Sequence, residues 1–177
     1  MGFLKGVGED SAGPSFSVFR KHFGFIPNLF KDQALFPDVL SAETNLLSAL
    51  LFKDGALSRV QKELVLLVVA AAEGNAAMAL HYQMLRLLSV PEERLDQILN
   101  DYRGANLSPA NTALITFVLK LVAEPTTISG KDLDALREHG MTDAAALEAV
   151  LLTGLGRFFC ALSEGLGTMP DFAIKSQ

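Results

Sequence analysis

Apolar residues recur every three or four positions along most of the chain, which is the spacing of one buried face of an α-helix. Gly, Pro and helix-capping residues separate these periodic stretches. The pattern predicts an all-α, single-domain helical bundle over residues 14–177, preceded by a glycine-rich flexible arm over residues 1–13. The predicted helices cover residues 15–23, 37–53, 58–73, 75–88, 108–121, 130–138 and 143–166, and a further helix opens at Pro91.

The two predicted helices on either side of Gly74 form the centre of this arrangement. Ser58 and Gln61 stand at the spacing of a capping box, so the first helix is expected to begin at Ser58. Residues 64–72 are apolar on every side, and their length and alanine content favour a helix that is covered all round over a buried strand. Gly74 is expected to end this helix, and Asn75 to cap the start of the second.

Glu63 is the most informative polar residue of this segment. An ionised carboxylate among leucines and valines loses its hydration, so it should be paired, hydrogen-bonded or carry a raised pKa. The alternative is an exposed Glu63 near the helix start, paired with Arg59 or Lys62. On the second helix, His81 and Tyr82 could exchange protons with Glu63, or could pack in the core. Sequence spacing leaves this open, because the contact depends on how far the second helix folds back.

Aromatic and glycine residues predict where the chain packs most closely. Six of the twelve phenylalanines lie within residues 16–36. We interpret them mainly as side chains packed on the core, with a lid over an apolar pocket as the alternative. Gly154 and Gly156 lower the helix propensity of the last predicted helix, a cost that the close approach of a neighbouring helix would offset.

Composition narrows the range of partners. Half of the residues are apolar and 20% are charged, which suggests that another subunit covers part of the apolar surface, so we expect a homo-oligomer. The net charge of −5 and the absence of a Lys/Arg cluster argue against a nucleic acid partner. No apolar stretch approaches the roughly 20 residues that span a bilayer, and the N-terminus has no signal pattern. We therefore expect no membrane partner and a cytoplasmic protein.

The number and spacing of the cysteine and histidine residues limit which redox and metal chemistry the chain can perform. Cys160 is the single cysteine, so it cannot form an intrachain disulfide or a Cys–Cys redox pair. Its apolar neighbours should raise the pKa of its thiol, and a peroxidase built on this one cysteine is kept only as an alternative. The three histidines are too scattered for a zinc pattern, and no Gly-rich phosphate loop is present, so we expect neither a metal nor a cofactor.

Residues 62–82, which read KELVLLVVAAAEGNAAMALHY, carry a resemblance to a known family. They resemble the alkylhydroperoxidase D and carboxymuconolactone decarboxylase family, especially its peroxidase-related branch. That branch shows a glutamate, then Cys-x-x-Cys at the start of the next helix, then a histidine four residues after the second cysteine. Aligned on Glu63, the cysteines fall at Asn75 and Met78. The histidine falls at Tyr82. His81 lies one place earlier, at a position where members of the branch often carry an additional histidine.

Other parts of the chain support the resemblance by their order and spacing. Residues 24–30 look like the lead-in of this branch, residues 55–59 like its entry to the core helix, and residues 169–172 like its ending. The resemblance implies an all-helical fold that associates as a dimer, trimer or hexamer. It also implies an antioxidant oxidoreductase activity, thiol-dependent peroxide reduction, in which the glutamate and the histidine move protons. Asn75 and Met78 supply no thiol, so the sequence leaves open whether this chain is an enzyme.

Two functional hypotheses follow. In the first, the chain has lost thiol peroxidase chemistry and retains a small apolar pocket, which binds a small apolar ligand or has no remaining function. The pocket would lie near Glu63, Asn75, Met78, His81 and Tyr82. In the second, the chain is a cofactor-free acid–base enzyme for a small carbonyl or lactone substrate, with Glu63 as base and His81 or Tyr82 as acid. A carboxylate and an imidazole within hydrogen-bond reach beside an open pocket would favour the second hypothesis.

Overall fold

A computed structural model describes residues 3–4 and 13–173 of the chain. These residues form α-helices and contain no β-strand, which confirms the predicted all-α class. The α-helices are α1 Gly13–Phe23, α2 Asn28–Asp32, α3 Pro37–Leu47, α4 Arg59–Ala72, α5 Met78–Leu87, α6 Glu92–Asp101, α7 Pro109–Ala123, α8 Gly130–Glu138 and α9 Asp143–Leu166. Short 3₁₀ turns cover Gln33–Leu35 and Pro125–Thr127, and a π-helical turn covers Ser48–Phe52.

Helix α4 lies at the centre of the bundle and packs against α5, α7 and α9. Its middle, residues 64–70, is buried on every side, as the apolar run predicts. The predicted capping box is present: the Ser58 hydroxyl accepts the N–H of Gln61, and the Gln61 side chain accepts the N–H of Ser58. These reciprocal bonds satisfy two N–H groups that a helix start leaves without intrahelical partners. They fix the start of α4 and thereby place Glu63 just beyond its first turn.

The connection between α4 and α5 reverses the chain direction at Gly74. Gly74 has φ = 65°, a left-handed conformation that glycine adopts without steric cost. Helix α5 begins at Met78 rather than at Asn75, but Asn75 still caps this segment, since its Oδ1 accepts the N–H of Ala77 at 2.8 Å. The turn lets α5 pack back along α4.

Helix α9 approaches α4 most closely at Gly156. A Cβ atom added there would lie 3.0 Å from Cγ1 of Val69 and 3.3 Å from Cδ2 of Leu66. Close packing therefore offsets the helix-propensity cost of this glycine, as predicted. Gly154 has open space beside it, so the prediction holds for one of the two glycines.

By length and composition, α9 is the one helix in the described part of the chain that could cross a membrane. On those criteria the expectation that no apolar stretch is long enough is wrong. Half of the most apolar stretch of α9 is buried inside the fold, however. The buried half packs against α4 and α7, and the exposed half includes Leu147, Leu151 and Phe158.

The N-terminal third departs most from the predicted boundaries. The single helix expected over residues 37–53 is divided into α3 and the π-helical turn at Ser48–Phe52. Helix α2 and the 3₁₀ turn after it were not predicted, because segments of five and three residues are too short to show a helical period. Phe19 is fully buried and its ring stacks on Phe30 with centroids 4.0 Å apart, so this part of the aromatic cluster packs on the core, whereas Phe36 is 72% exposed.

Of the predicted flexible arm, residues 1, 2 and 5–12 lie outside the described residues, and its last residue, Gly13, belongs to α1. The described part of the arm contacts the end of α9. The N–H of Phe3 donates to the carbonyl of Leu166 at 2.8 Å, and the Phe3 ring lies against Gly167, where a Cβ atom would be 2.5 Å from Phe3 Cζ. This contact places Phe3 among the residues that line the cavity described below.

Candidate functional site

Glu63 and His81 form a carboxylate–imidazole pair between α4 and α5. Oε2 of Glu63 lies 2.7 Å from Nδ1 of His81. The Glu63 side chain is fully buried and that of His81 is 13% exposed. Helix α5 therefore folds back far enough to make the contact that sequence spacing left open. The alternative of a surface-exposed Glu63 is wrong.

Arg59 completes the surroundings of the buried carboxylate. Arg59 lies one helical turn before Glu63, on the same face of α4. Its Nη2 and Nε donate to Oε1 of Glu63 at 2.6 Å and 3.0 Å. Its guanidinium also lies over the ring of Phe52, 5.0 Å from the centroid. Lys62 points elsewhere and forms a buried ion pair with Glu148 at 2.8 Å. The sequence indicates Arg59 only as a surface partner of Glu63, because the burial of Glu63 depends on how the helices pack.

The hydrogen bonds and charges around Glu63 determine its protonation. Burial on its own would raise the pKa of Glu63, since it disfavours the charged form. The hydrogen bond and charge of His81, followed by those of Arg59, outweigh burial and lower the pKa below its ordinary value. Glu63 is therefore ionised at neutral pH, and it accepts the Nδ1–H of His81. This arrangement assigns the tautomer of the imidazole.

His81 lies on the wall of an apolar cavity of about 430 Å³. A cavity of this size fits a small organic molecule. Its lining includes the aromatic rings of Phe3, Phe23, Phe30 and Phe159 and the side chains of Leu29, Leu47, Leu51, Leu66 and Leu80. Within the part of the chain that the structure describes, no group of three or more His, Cys, Asp or Glu residues is placed to hold a metal ion.

The sequence profile of the carboxymuconolactone decarboxylase family matches residues 37–122, the segment from α3 to α7 that contains both Glu63 and His81. A solved structure from Ralstonia eutropha JMP134, described as an alkylhydroperoxidase AhpD core and an uncharacterised peroxidase-related protein, is 28% identical. It superposes with a TM-score of 0.78 over 93% of this chain and 87% of that chain. The chain belongs to the carboxymuconolactone decarboxylase family.

Two further structures share the fold of this family member. An uncharacterised peroxidase-related protein from Silicibacter sp. TM1040 is 22% identical, with a TM-score of 0.80 over 96% of each chain. A Cys-to-Ala variant of the debrominase Bmp8, in complex with 2,3,4-tribromopyrrole, is 14% identical, with a TM-score of 0.83 over 96% of this chain and 91% of that chain. No curated protein sequence matches the chain significantly.

Asn75 and Met78, which stand where the peroxidase-related branch shows cysteines, have separate surroundings in this family member. Asn75 is buried, and its Nδ2 lies within hydrogen-bond distance of three acceptors on α9: the carbonyl of Cys160 at 3.3 Å, Ser163 Oγ at 2.9 Å and Glu164 Oε1 at 2.9 Å. Met78 packs on the hydrophobic core and is not among the cavity-lining residues. Asn75 thus fastens the connection between α4 and α5 to α9, and Met78 fills space in the core.

Tyr82 does not join Glu63 and His81. Its side chain is buried, and its hydroxyl donates to Oδ1 of Asp96 on α6 at 2.6 Å. Successive residues of an α-helix point about 100° apart, so Tyr82 faces α6 when its neighbour His81 faces α4. The expectation that Tyr82 lies with Glu63 and His81 as an acid is therefore corrected, because its hydroxyl bonds Asp96.

Cys160 lies on α9, and its own backbone carbonyl is the one within reach of Asn75 Nδ2. The surroundings of its thiol do not favour a thiolate. Its side chain is 5% exposed. Burial, followed by the negative charges of Glu73 and Glu164, raises the pKa of the thiol to about 11. A thiol with such a pKa is almost entirely protonated at neutral pH and is a poor nucleophile. The sequence expectation of a raised pKa is confirmed.

Residues 167–171, here named the C-terminal strap, form one side of the cavity and were not predicted to contribute to it. The strap is fastened to α2 by three hydrogen bonds. Thr168 Oγ1 donates to Asp32 at 2.6 Å, Asn28 Nδ2 donates to the carbonyl of Met169 at 3.1 Å, and the N–H of Asn28 donates to Asp171 at 2.9 Å. These contacts join positions more than 130 residues apart, so no local sequence signal could have revealed them.

Proposed function

We propose that this family member is a cofactor-free acid–base enzyme, in which His81, oriented by Glu63, transfers a proton to and from a small apolar substrate held in the cavity. The observation that carries the proposal is the 2.7 Å contact between the buried carboxylate of Glu63 and the imidazole of His81, at the wall of a cavity of about 430 Å³. Such a pair beside an open pocket is the arrangement that favours an enzyme over an inactive remnant.

The roles of the two residues follow from their hydrogen bond. The ionised Glu63 accepts the Nδ1–H of His81, and in the neutral form of the imidazole this bond leaves the Nε2 lone pair as the proton acceptor. His81 is among the residues that line the cavity, and its Nε2 makes no hydrogen bond to another described residue. When Nε2 takes a proton from the substrate, Glu63 stabilises the resulting imidazolium, and the same proton can return to another atom of the substrate. His81 is therefore the base in this proposal, in place of Glu63.

The substrate class is a small carbonyl compound or lactone with an acidic C–H, O–H or N–H group. Apolar walls strengthen the electrostatic interactions of a polar reaction centre because they exclude water. The debrominase that shares this fold is described in complex with 2,3,4-tribromopyrrole, a small ring compound. That description supports the capacity of the fold to enclose a molecule of this size, and the reaction of that protein is not transferred to this chain.

Thiol-dependent peroxide reduction is not part of the proposal. The family chemistry of a Cys-x-x-Cys pair needs an attacking and a resolving thiol, and this sequence contains one cysteine. With purified protein, dithiothreitol and hydrogen peroxide, we expect no consumption of peroxide above the buffer rate. Consumption that disappears in Cys160→Ser would instead support a one-cysteine peroxidase.

Proton abstraction can be tested with 5-nitrobenzisoxazole, an uncharged bicyclic probe. A base removes its C–H proton while the ring N–O bond breaks, and the cyanophenolate product absorbs visible light. We expect the wild-type rate to exceed that of His81→Gln at least about tenfold, in line with the usual contribution of a positioned general base. Glu63→Gln should also be slow, because the glutamine cannot stabilise an imidazolium as a carboxylate does.

His139→Gln is the matched control, since His139 is exposed at the end of α8 and does not line the cavity. It should keep the wild-type rate. Equal rates for the wild type, His81→Gln and His139→Gln would overturn the proposed function, provided that thermal unfolding shows all three to be folded.

We also propose that the chain associates with itself through α9. Leu147, Leu151 and Phe158 are 59%, 45% and 44% exposed, and their spacing places them along one side of the helix beside the open Gly154. An exposed apolar stripe of this kind is costly to leave in water, which supports its burial in an oligomer.

A further inference from the structure

The charges at the cavity are all of one sign. Glu164 and Asp171 are the acidic residues among the described cavity-lining residues, and the described part of the chain contributes no Lys or Arg to the lining. Glu63 lies behind His81, and its charge is paired with Arg59 outside the cavity. A ligand in the cavity therefore meets carboxylates without meeting an ammonium or guanidinium group.

The two carboxylates have neutral hydrogen-bond partners. Oε1 of Glu164 accepts from the amide of Asn75 at 2.9 Å, and Oδ1 of Asp171 accepts the backbone N–H of Asn28 at 2.9 Å. No ion pair of either residue with a Lys or Arg occurs within residues 3–4 and 13–173. These hydrogen bonds fix the positions of the carboxylates without an ion pair, and the positive charge that acts on Asp171, that of Lys31, lies outside the cavity lining.

We infer that Glu164 and Asp171 exclude carboxylate-bearing compounds from the cavity, which accepts uncharged ring compounds. An anion that enters would give up its hydration, gain no opposite charge and be repelled by both carboxylates. The rings of Phe30 and Phe159 meet edge to face, with centroids 5.5 Å apart, and such aromatic walls pack well against a flat ring. An uncharged ring with one N–H or O–H group could still donate its hydrogen to Nε2 of His81.

This inference rests on the proposed function and adds a substrate class to it. The family to which the chain belongs is named after a lactone that carries carboxyl groups. A pocket for such a compound would need a cation to hold the carboxylates, as bidentate arginine does in many anion sites. The described lining of this cavity has none, so the substrate of this chain differs in charge from the compound in the family name.

Three indoles of nearly equal size test the inference: indole, which is uncharged, indole-3-carboxylate, which is anionic, and 3-(aminomethyl)indole, which is cationic. The chain contains no tryptophan, so indole fluorescence is read without a background from the protein. We expect indole to bind saturably and His81→Gln to weaken it. The carboxylate should bind at least about tenfold more weakly than indole, as expected for a buried like charge.

The variant Glu164→Gln/Asp171→Asn removes both charges and keeps the accepting oxygens. It should reduce the difference between indole and indole-3-carboxylate severalfold. The control Glu93→Gln/Glu138→Gln makes the same change of net charge at two exposed residues outside the cavity lining and should leave the difference unchanged.

The outcomes separate this inference from the proposed function. If indole-3-carboxylate binds as tightly as indole and still depends on His81, the charge selectivity is overturned and the proposed function stands. Binding of the cationic indole as weak as that of the carboxylate, or an unchanged difference in the Glu164/Asp171 variant, overturns the selectivity in the same way. If none of the three probes binds and 5-nitrobenzisoxazole turns over independently of His81, both are overturned.

Discussion

Nδ1 of His81 lies 2.7 Å from Oε2 of Glu63, although 18 residues and the left-handed turn at Gly74 separate the two along the chain. The contact places a charge at the centre of a helical bundle, where an isolated carboxylate would be costly. Arg59 donates two hydrogen bonds to the other oxygen of Glu63, so the charge is compensated on both sides. The stability of the fold and the chemistry of the cavity therefore depend on the same group.

Glu63→Gln should remove a contribution to stability that depends on pH. The pKa of Glu63 in the folded protein is lowered because His81 and Arg59 outweigh burial. A carboxyl whose folded pKa lies below its unfolded value stabilises the fold above the unfolded pKa, near 4.5, and this stabilisation is lost as the pH falls through the folded pKa. We expect the variant to be less stable by about 2 kcal/mol or more at pH 6, and the difference to shrink below pH 4.5.

Urea unfolding at a series of pH values measures this difference. Glu93→Gln, a substitution of an exposed glutamate on α6, is the control and should change the stability little at any pH. A constant difference between the wild type and Glu63→Gln from pH 6 to pH 3.5 would contradict the linkage.

Tyr82→Phe should separate stability from catalysis. The substitution removes the hydrogen bond from the Tyr82 hydroxyl to Asp96 and leaves the ring in place, so the protein should lose about 1–2 kcal/mol of stability. The rate with 5-nitrobenzisoxazole should stay at the wild-type value, because Tyr82 does not line the cavity. The melting temperature and the rate are measured on the same sample. A large fall in rate with unchanged stability would return Tyr82 to the site.

Local signals were sufficient to predict many of the helices. Ser129 and Thr142 are capping residues followed by helix-forming sequence, and they gave the observed bounds of α8, Gly130–Glu138, and of α9, Asp143–Leu166. The capping box at Ser58 gave the start of α4 in the same way. These signals are reliable because each depends on hydrogen bonds between residues a few positions apart.

The candidate site was predictable only in part, because it is made by contacts between distant segments. Glu63 and His81 were identified from their chemistry, but their contact depends on the packing of α5 against α4, which sequence spacing does not determine. Asp171 reaches the cavity because the strap is fastened to Asn28, 143 residues away. Tyr82 was misplaced for a different reason: adjacent residues were grouped although the helix turns their side chains towards different neighbours.

Cys160 should be unreactive in the folded protein. Burial and the nearby acidic charges raise the pKa of its thiol to about 11, so very little thiolate is present at pH 8. We expect no labelling by iodoacetamide over hours at pH 8 and complete labelling within minutes in 6 M guanidinium chloride, both followed by mass spectrometry. Fast labelling without denaturant would mean that the thiol is accessible and activated, which would revive the one-cysteine peroxidase.

Gly156→Ala and Gly154→Ala form a matched pair on α9. Alanine improves helix propensity by about 1 kcal/mol at either position. Within one chain there is open space at Gly154, so Gly154→Ala should be stabilising when both variants are measured in the monomeric Leu151→Lys background. At Gly156 the new methyl group would lie 3.0 Å from Val69 Cγ1, and the resulting overpacking should make this variant about 1–3 kcal/mol less stable than Gly154→Ala. Equal stabilities in urea unfolding would show that α4 and α9 can separate without cost.

Leu151→Lys should dissociate the proposed oligomer. Leu151 lies in the middle of the exposed apolar stripe of α9, and a lysine there would place a charge in the buried centre of the interface, where charged residues are depleted. Sedimentation velocity should show the wild type as an oligomer and this variant as a monomer of about 19 kDa. The control is Leu87→Lys, which puts the same charge on a 75% exposed leucine at the end of α5 and should leave the oligomer intact. A monomeric wild type at tens of micromolar would contradict self-association, and dissociation by Leu87→Lys alone would move the interface from α9 to α5.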